Sequence, residues 1–317
     1  MHAVRLTHLA TPLIDDDIPE PAAGSGELLV DIRAAGICHS DAHYRAGGGS
    51  VALPLTLGHE IAGVVAGTGQ RVALHYLHGD GRMLGKEVDG GYSERVAVPA
   101  ANAVPIPDGV SFETAAVMMC STATAYHALR LAALHPGESV TILGFGGLGA
   151  SAVQLARFMG ASRVFAVDRV PEKLDVAKSF GAIPAAVDEL RDIDVVLDFA
   201  GHPATTLQAL RSLARGGRIM IVAINLRELA IDPYRDVLAA ERHIIGVSDH
   251  TREELVELLD LADRGAIDIS HVITRRVSLE AGAINQVLDD LDHGTGHLRT
   301  VIDLSFKRPR KYRSDQG

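Results

Sequence analysis

The run Val140-Thr-Ile-Leu-Gly144-Phe-Gly146-Gly147-Leu148-Gly149, passing directly into a helical pattern from Ala150 to Met159, constrains this chain more than any other stretch. Val140 to Leu143 reads as a short buried strand, and Gly144, Gly146 and Gly149 fall in a G-x-G-x-x-G spacing at the turn that follows. Leu148, Ala152, Leu155 and Met159 recur at helical intervals, and Gly160 supplies a stop. Such a turn uses glycine for a tight bend, for close approach of backbone N–H groups to a pyrophosphate, and for close packing of helix on strand. The helix start adds partial positive charge at the same place. A second strand, Arg163 to Val167, ends on Asp168, 19 residues beyond Gly149. A carboxylate there can accept hydrogen bonds from both ribose hydroxyls of an adenosine. It also repels a 2′-phosphate, so NAD(H) is expected in preference to NADP(H), although Arg169 beside it works the other way.

The C-terminal half keeps this rhythm. Strands are expected near 140–143, 163–167, 193–198, 218–223 and 243–247, separated by helical runs, which is the pattern of a doubly wound parallel sheet. Helical segments at 251–264 and 278–291 bracket a short strand from His271 to Val277. The first hundred residues read instead as β-rich, with strands around Ala3–Leu6, Glu27–Arg33, Glu60–Ala66, Arg71–Tyr76 and Ser93–Val98. Ser111 can cap a helix beginning near Phe112, and a longer helical stretch covers about Ser121 to Ala133. The expected fold class is therefore α/β, a Rossmann-type doubly wound parallel sheet with a second, β-rich domain.

With 30 basic against 40 acidic side chains the net charge is −10, which argues against a nucleic-acid partner. No apolar run approaches the roughly 20 residues of a membrane span, and no signal-peptide pattern opens the chain, so no membrane partner and a cytoplasmic location are expected. The basic stretch Lys307 to Arg313 reads as a solvated terminus.

A second constellation carries chemistry. Gly36-Ile-Cys38-His39-Ser40-Asp41-Ala-His43 is followed by Gly58-His59-Glu60, and the only other cysteine, Cys120, precedes the glycine turn. Two thiolates and an imidazole are ligand types that zinc takes, and three protein ligands leave the open fourth position of a catalytic site. Two thiolates also neutralise the ion while leaving it able to lower the pKa of a bound water or alcohol. The spacing defines no compact metal motif, so two buried thiols and an ordinary core histidine remain an alternative at this point.

Gly58-His59-Glu60-x-x-Gly63-x5-Gly69-x-x-Val72, the Cys38–Asp41 run and the distance from Cys120 to Gly144 together resemble the zinc-dependent alcohol dehydrogenases of the medium-chain dehydrogenase/reductase superfamily. The resemblance spans roughly Leu28 to Leu304. It implies a GroES-like catalytic domain over 1–120 and 249–317 and a Rossmann domain over 121–248. It implies Cys38, His59 and Cys120 as ligands of one catalytic Zn²⁺, with Glu60 as an adjacent acid able to approach the metal. Asp41 would orient His59, Ser40 would take the proton of the alcohol, and His43 would end a relay at solvent. On the cofactor side it implies Gly144, Gly146, Gly147, Leu148 and Gly149, Asp168 with Arg169 and Lys173, Thr124 against the nicotinamide, and His39 and Arg299 toward the phosphates. The implied activity is hydride transfer between an alcohol, aldehyde or ketone and NAD(H), by a homodimer or homotetramer. Reduction of a C=C or C=N bond with NAD(P)H is the alternative, and a non-catalytic dinucleotide sensor a more distant one.

The chain also departs from that family. Many of its members carry four closely spaced cysteines for a second, structural zinc, whereas no cysteine lies between Glu60 and Gly90 here. The segment Val72 to Val88 holds His75, His78, Asp80 and Glu87 and is expected to be a glycine-rich surface loop. Whether this shortened segment, 67–90, lines the active site is not readable from sequence, nor is the physiological substrate.

Overall fold

The computed structural model describes residues 1–224, 227–293 and 297–304; the basic stretch from Lys307 lies outside them. Ser139–Leu143 is buried at every position, as a parallel strand covered on both faces must be. It lies inside a six-stranded parallel sheet whose order is Ile183–Pro184, Arg163–Val167, Ser139–Leu143, Ile193–Asp198, Leu213–Ile221, His243–Gly246. The chain works outward in both directions from Ser139–Leu143, so the winding reverses beside it. The loop at its C-terminal end opens on the crevice where such sheets bind ligands. The helix Gly147–Phe158 follows, and Gly160, at φ 91°, ends that turn.

The second sheet is mixed and uses both ends of the chain. Glu27–Ile37 is its spine, paired antiparallel with Glu60–Val65 and with Arg299–Asp303. Its register sets Gly36 opposite Glu60 on one side and Val301 on the other. Arg71–Leu74, Arg95–Pro99, Ala103–Pro105 and Ile273–Val277 complete it. The expected α/β class, a parallel Rossmann-type sheet with a second, β-rich unit, is thus the observed one.

A helical rod joins the two sheets. Ser111 Oγ accepts from the Thr114 amide at 3.1 Å and starts the helix Phe112–Val117; a π-helical turn, Met118–Thr122, leads into the helix Ala123–Leu131. Sequence periodicity suggests two helices here, and the structure makes them continuous. Fully buried alanines at 115, 116, 123, 125 and 128 let neighbours close on the rod. One apolar cluster consequently runs from Ala34 and Ala62 through Met118 and Met119 to Ile142 and Leu197. The strand expected at 218–223 begins earlier, at Leu213, and residues 270–272 form a 3-10 turn before the strand Ile273–Val277. Among the described residues no helix is long and apolar enough to cross a membrane.

Candidate active site

Three separate elements deliver the thiols and the imidazole. Cys38 ends the spine strand and begins the short helix His39–Arg45, which sequence reading does not anticipate. His59 and Glu60 open the paired strand Glu60–Val65, and Cys120 projects from the π turn, where one extra residue per turn redirects side chains at functional positions. Ligand atoms of Cys38, His59, Glu60 and Cys120 all lie within 4.8 Å of one another. Cys38, His59 and Glu60 are buried, while Cys120 is partly open to solvent. Two soft thiols with an imidazole at this separation fit a zinc ion by donor chemistry.

Asp41 organises the group. Its Oδ1 is 3.2 Å from His59 Nδ1, and its Oδ2 accepts from the Cys38 amide at 2.9 Å and the Tyr92 hydroxyl at 2.7 Å. The first contact keeps a proton on Nδ1, so Nε2 is the nitrogen that would face a metal once its own proton is displaced. Tyr92 was not legible as a site residue, because it lies 51 residues from Asp41 in the chain. Its ring occupies the space that a side chain at Gly58, φ 96°, would fill.

The electrostatics follow from crowding. The Cys120 thiol, hydrogen-bonded to Cys38, holds Cys38 well below the ordinary thiol range, and His59 and Arg299 add to this against burial. The same contact, then burial, pushes Cys120 well above it. Burial opposes charge on His59, but Asp41 and then Cys38 hold it well above the usual histidine range. Burial raises Glu60 to about 7, with Arg299 opposing.

Glu60 is paired with Arg299, both fully or almost fully buried. Gly36 makes this possible, since a Cβ there would lie 1.9 Å from Glu60 Oε2. Arg299 in turn lies over the glycine turn, where a Cβ on Gly147 would meet its Cδ at 1.9 Å. One side chain therefore spans from the thiol–imidazole group to the glycine turn, a link between two motifs that are far apart in sequence.

At that turn Gly144 has φ 89°, and the Phe145 amide donates to Asp168 Oδ2 at 2.7 Å. The Val170 amide donates to Asp168 Oδ1 at 2.9 Å. A Cβ on Gly146 would meet nothing within 4 Å, which is the open cradle a pyrophosphate requires. Leu148, Lys173 and Thr124 are half-buried, and Arg169 is exposed. On the short helix Ser40 Oγ lies 3.7 Å from Cys38 Sγ, whereas His39 and His43 stack on each other at 4.7 Å on the exposed face. Tyr76, from the shortened segment, meets the His59 ring edge-on at 5.5 Å, so that segment does reach the site.

Residues 24–108 match the family described as alcohol dehydrogenase GroES-like domain, and residues 147–264 match zinc-binding dehydrogenase. A NAD-dependent alcohol dehydrogenase of Sulfolobus acidocaldarius is 33% identical over 96% of this chain and 100% of its own. The structure of acetophenone reductase from Geotrichum candidum in complex with NAD superposes with a TM-score of 0.86 at 28% identity, covering 95% of this chain and 97% of that one. A zinc-binding dehydrogenase from Sinorhizobium meliloti bound to NADP gives 0.86 at 27%, covering 95% and 98%.

Proposed function

The chain belongs to the zinc-type alcohol dehydrogenases of the medium-chain dehydrogenase/reductase superfamily, and from that premise we infer how its own residues divide the work. It is an NAD(P)-dependent oxidoreductase of alcohols and carbonyls. The comparisons lend no support to C=C or C=N reduction.

Cys38, His59 and Cys120 would hold a zinc ion, which would supply Lewis acidity toward an alcohol oxygen near neutral pH, and a bound nicotinamide would supply the hydride acceptor. Ser40 Oγ, beside Cys38, takes the substrate proton and His43, exposed and stacked on His39, ends the relay at solvent, while His39 faces the cofactor phosphates. Asp41 keeps the His59 tautomer and ring orientation. Glu60, paired here with Arg299, is close enough to the ligand group that it could approach a bound metal, and Arg299, already over Gly147, would reach the cofactor phosphates. Gly144, Gly146, Gly147, Leu148 and Gly149 cradle the pyrophosphate, Thr124 backs the nicotinamide, and Asp168 with Lys173 takes the adenosine ribose. Asp168 favours NAD(H) over NADP(H), with Arg169 turned to solvent. The catalytic unit comprises 1–120 and 249–317, and the cofactor unit 121–248. The two free thiols suit a reducing cytoplasm.

The convergence of Cys38, His59 and Cys120 carries this reading. An NADH-absorbance screen across alcohols and carbonyls, with zinc measured on the same sample, tests it. The expected result is turnover with NAD ahead of NADP and about one zinc per subunit, as three ligands with an open position require. Full turnover in metal-free protein sinks it.

Loading of the metal should depend on pH. Cys120 is held above, and His59 above, their ordinary ranges in the metal-free site, so both carry protons that zinc must displace. Apparent zinc affinity is expected to fall as pH drops, by up to about a hundredfold per unit for two displaced protons. Competition with a chelator at several pH values measures this, and a flat profile would contradict the assignment.

Assembly is proposed through the strand His243–Gly246, which has no second neighbour in the sheet among the described residues. Ile244, Leu238 and Tyr234 are 38%, 65% and 71% exposed. An unpaired strand edge with apolar surroundings favours an isologous pairing. Analytical ultracentrifugation is expected to give a dimer or tetramer, and a monomer at micromolar concentration refutes it.

A further inference from the structure

The shortened segment ends at Gly90-Gly91-Tyr92, where the backbone runs alongside the residues that precede His59. The Gly90 amide donates to the Thr56 carbonyl at 2.8 Å, the Gly91 amide to Gly58 at 2.8 Å and the Tyr92 amide to Leu57 at 3.0 Å. On its other side the Tyr92 carbonyl accepts from the Val4 amide at 2.8 Å. Glycines let the two stretches touch. A Cβ on Gly58 would lie 2.5 and 2.6 Å from Cδ1 and Cε1 of the Tyr92 ring, and one on Gly91 would lie 2.6 Å from Ile61 Cγ1. Tyr92 and His59 are therefore mounted on one hydrogen-bonded frame, with the tyrosine ring fully buried inside it.

The phenol gives its one donor to Asp41. Its hydroxyl lies 2.7 Å from Oδ2, the shortest of three contacts on that carboxylate. The Cys38 amide follows at 2.9 Å on the same oxygen, and His59 Nδ1 stands 3.2 Å from Oδ1. Tyr92 and Asp41 are both 0% exposed, and a phenylalanine would fill the same cradle without the cost of burying a hydroxyl. Burial, and then the Asp41 charge, hold the phenol well above the usual tyrosine range, so it remains a donor. The last torsion of an aspartate is a broad one; two donors on Oδ2 fix its plane and so decide where Oδ1 points. The contact with His59 is the longest of the three and the one most easily lost when that plane turns.

We propose that Tyr92 is a positioning residue for the metal site: by holding Oδ2 of Asp41 it keeps Oδ1 on His59 Nδ1, aims His59 Nε2 at the ion and raises the affinity of the site for zinc. The proposal rests on the reading of Cys38, His59 and Cys120 as ligands of one ion. A carboxylate bonded to a ligand imidazole sets its tautomer and basicity, and outer groups of this kind are commonly worth about ten- to a hundredfold in metal affinity. Tyr92 stands one bond further out and acts through Asp41, so the low end of that range, about tenfold, is expected of it.

The test compares the parent with Tyr92→Phe, which keeps the ring in its cradle and removes only the hydroxyl. Zinc affinity is read by competition with a chelator on the folded protein, and the ligand field by the visible spectrum after cobalt replaces zinc. Tyr92→Phe is expected to weaken zinc binding by about tenfold and to shift the cobalt bands, while NADH binding, read by fluorescence, stays at the parent's value. In an Asp41→Asn background the same substitution should change zinc affinity by less than about twofold, because the carboxylate that transmits it is gone. Tyr92→p-aminophenylalanine returns an N–H donor to the same place and should restore much of the loss. It also keeps the test open if the phenylalanine variant folds poorly. A purely structural hydroxyl would lower the melting temperature of the metal-free protein and leave both metal readouts unchanged. That result, or an equal loss of zinc affinity with and without Asp41, overturns the proposal and leaves the zinc assignment intact. A parent that binds neither zinc nor cobalt overturns both.

Discussion

Cys38→Ser is expected to lower kcat/KM for alcohol oxidation by about a thousandfold or more and to empty the metal site. A serine hydroxyl stays protonated and hard where the site needs a soft anion. Its loss also leaves one thiolate to balance a dication in a buried position, since Cys38 is 5% exposed. Lewis-acid stabilisation is worth several kcal/mol, and about 4 kcal/mol corresponds to three powers of ten in rate. The fold should survive, because Asp41 takes its hydrogen bond from the Cys38 backbone amide and not from the thiol. Affinity for NADH should change little, since the glycine turn belongs to the other sheet. Zinc analysis, steady-state kinetics and NADH fluorescence on one preparation would decide it. Parent-like kinetics would remove the metal from the mechanism.

Gly149→Ala should produce the converse pattern: zinc retained, cofactor lost. A Cβ at 149 would lie 2.4 Å from the Gly144 carbonyl oxygen and 3.3 Å from Ile142 Cγ2. The first of these is backbone at the end of the buried strand, so no side chain can swing aside. The helix Gly147–Phe158 must move off the strand, opening the amide cradle and overpacking the core at a cost of about 1–3 kcal/mol. NADH binding is expected to weaken by at least about tenfold, equivalent to 1.4 kcal/mol. Gly146→Ala is the matched control. Its backbone, φ −110°, suits any residue and its Cβ meets nothing, so thermal stability should hold while NADH binding still falls. If Gly149→Ala binds NADH as the parent does, the turn has been assigned the wrong ligand.

These two variants also mark how far the sequence could be read. The glycine turn, the strand before it, Asp168 and the alternation behind them were legible because backbone periodicity and turn chemistry act within about 20 residues. The types of candidate ligand were legible too, since thiol and imidazole chemistry is intrinsic to the residue. The partners of those ligands were not. Tyr92 on Asp41, Gly36 making room for Glu60, and Arg299 bridging Glu60 to Gly147 are meetings between residues with no local signal. The redirection of Cys120 depends on a π turn that hydrophobic spacing cannot distinguish from an ordinary helix. His75, expected in a surface loop, and His250 become neighbours only because Tyr76 and Asp249 tie the shortened segment to the chain leaving the parallel sheet.

By itself, then, the sequence determined the α/β class, the glycine turn between strand and helix and the chemical character of the candidate metal ligands, because each is encoded in short-range pattern or in side-chain type. Only the tertiary structure decided which groups share one buried space and which charges answer one another. Those outcomes depend on strand register, as where Gly36 faces both Glu60 and Val301, and register is settled by the whole sheet closing over its core.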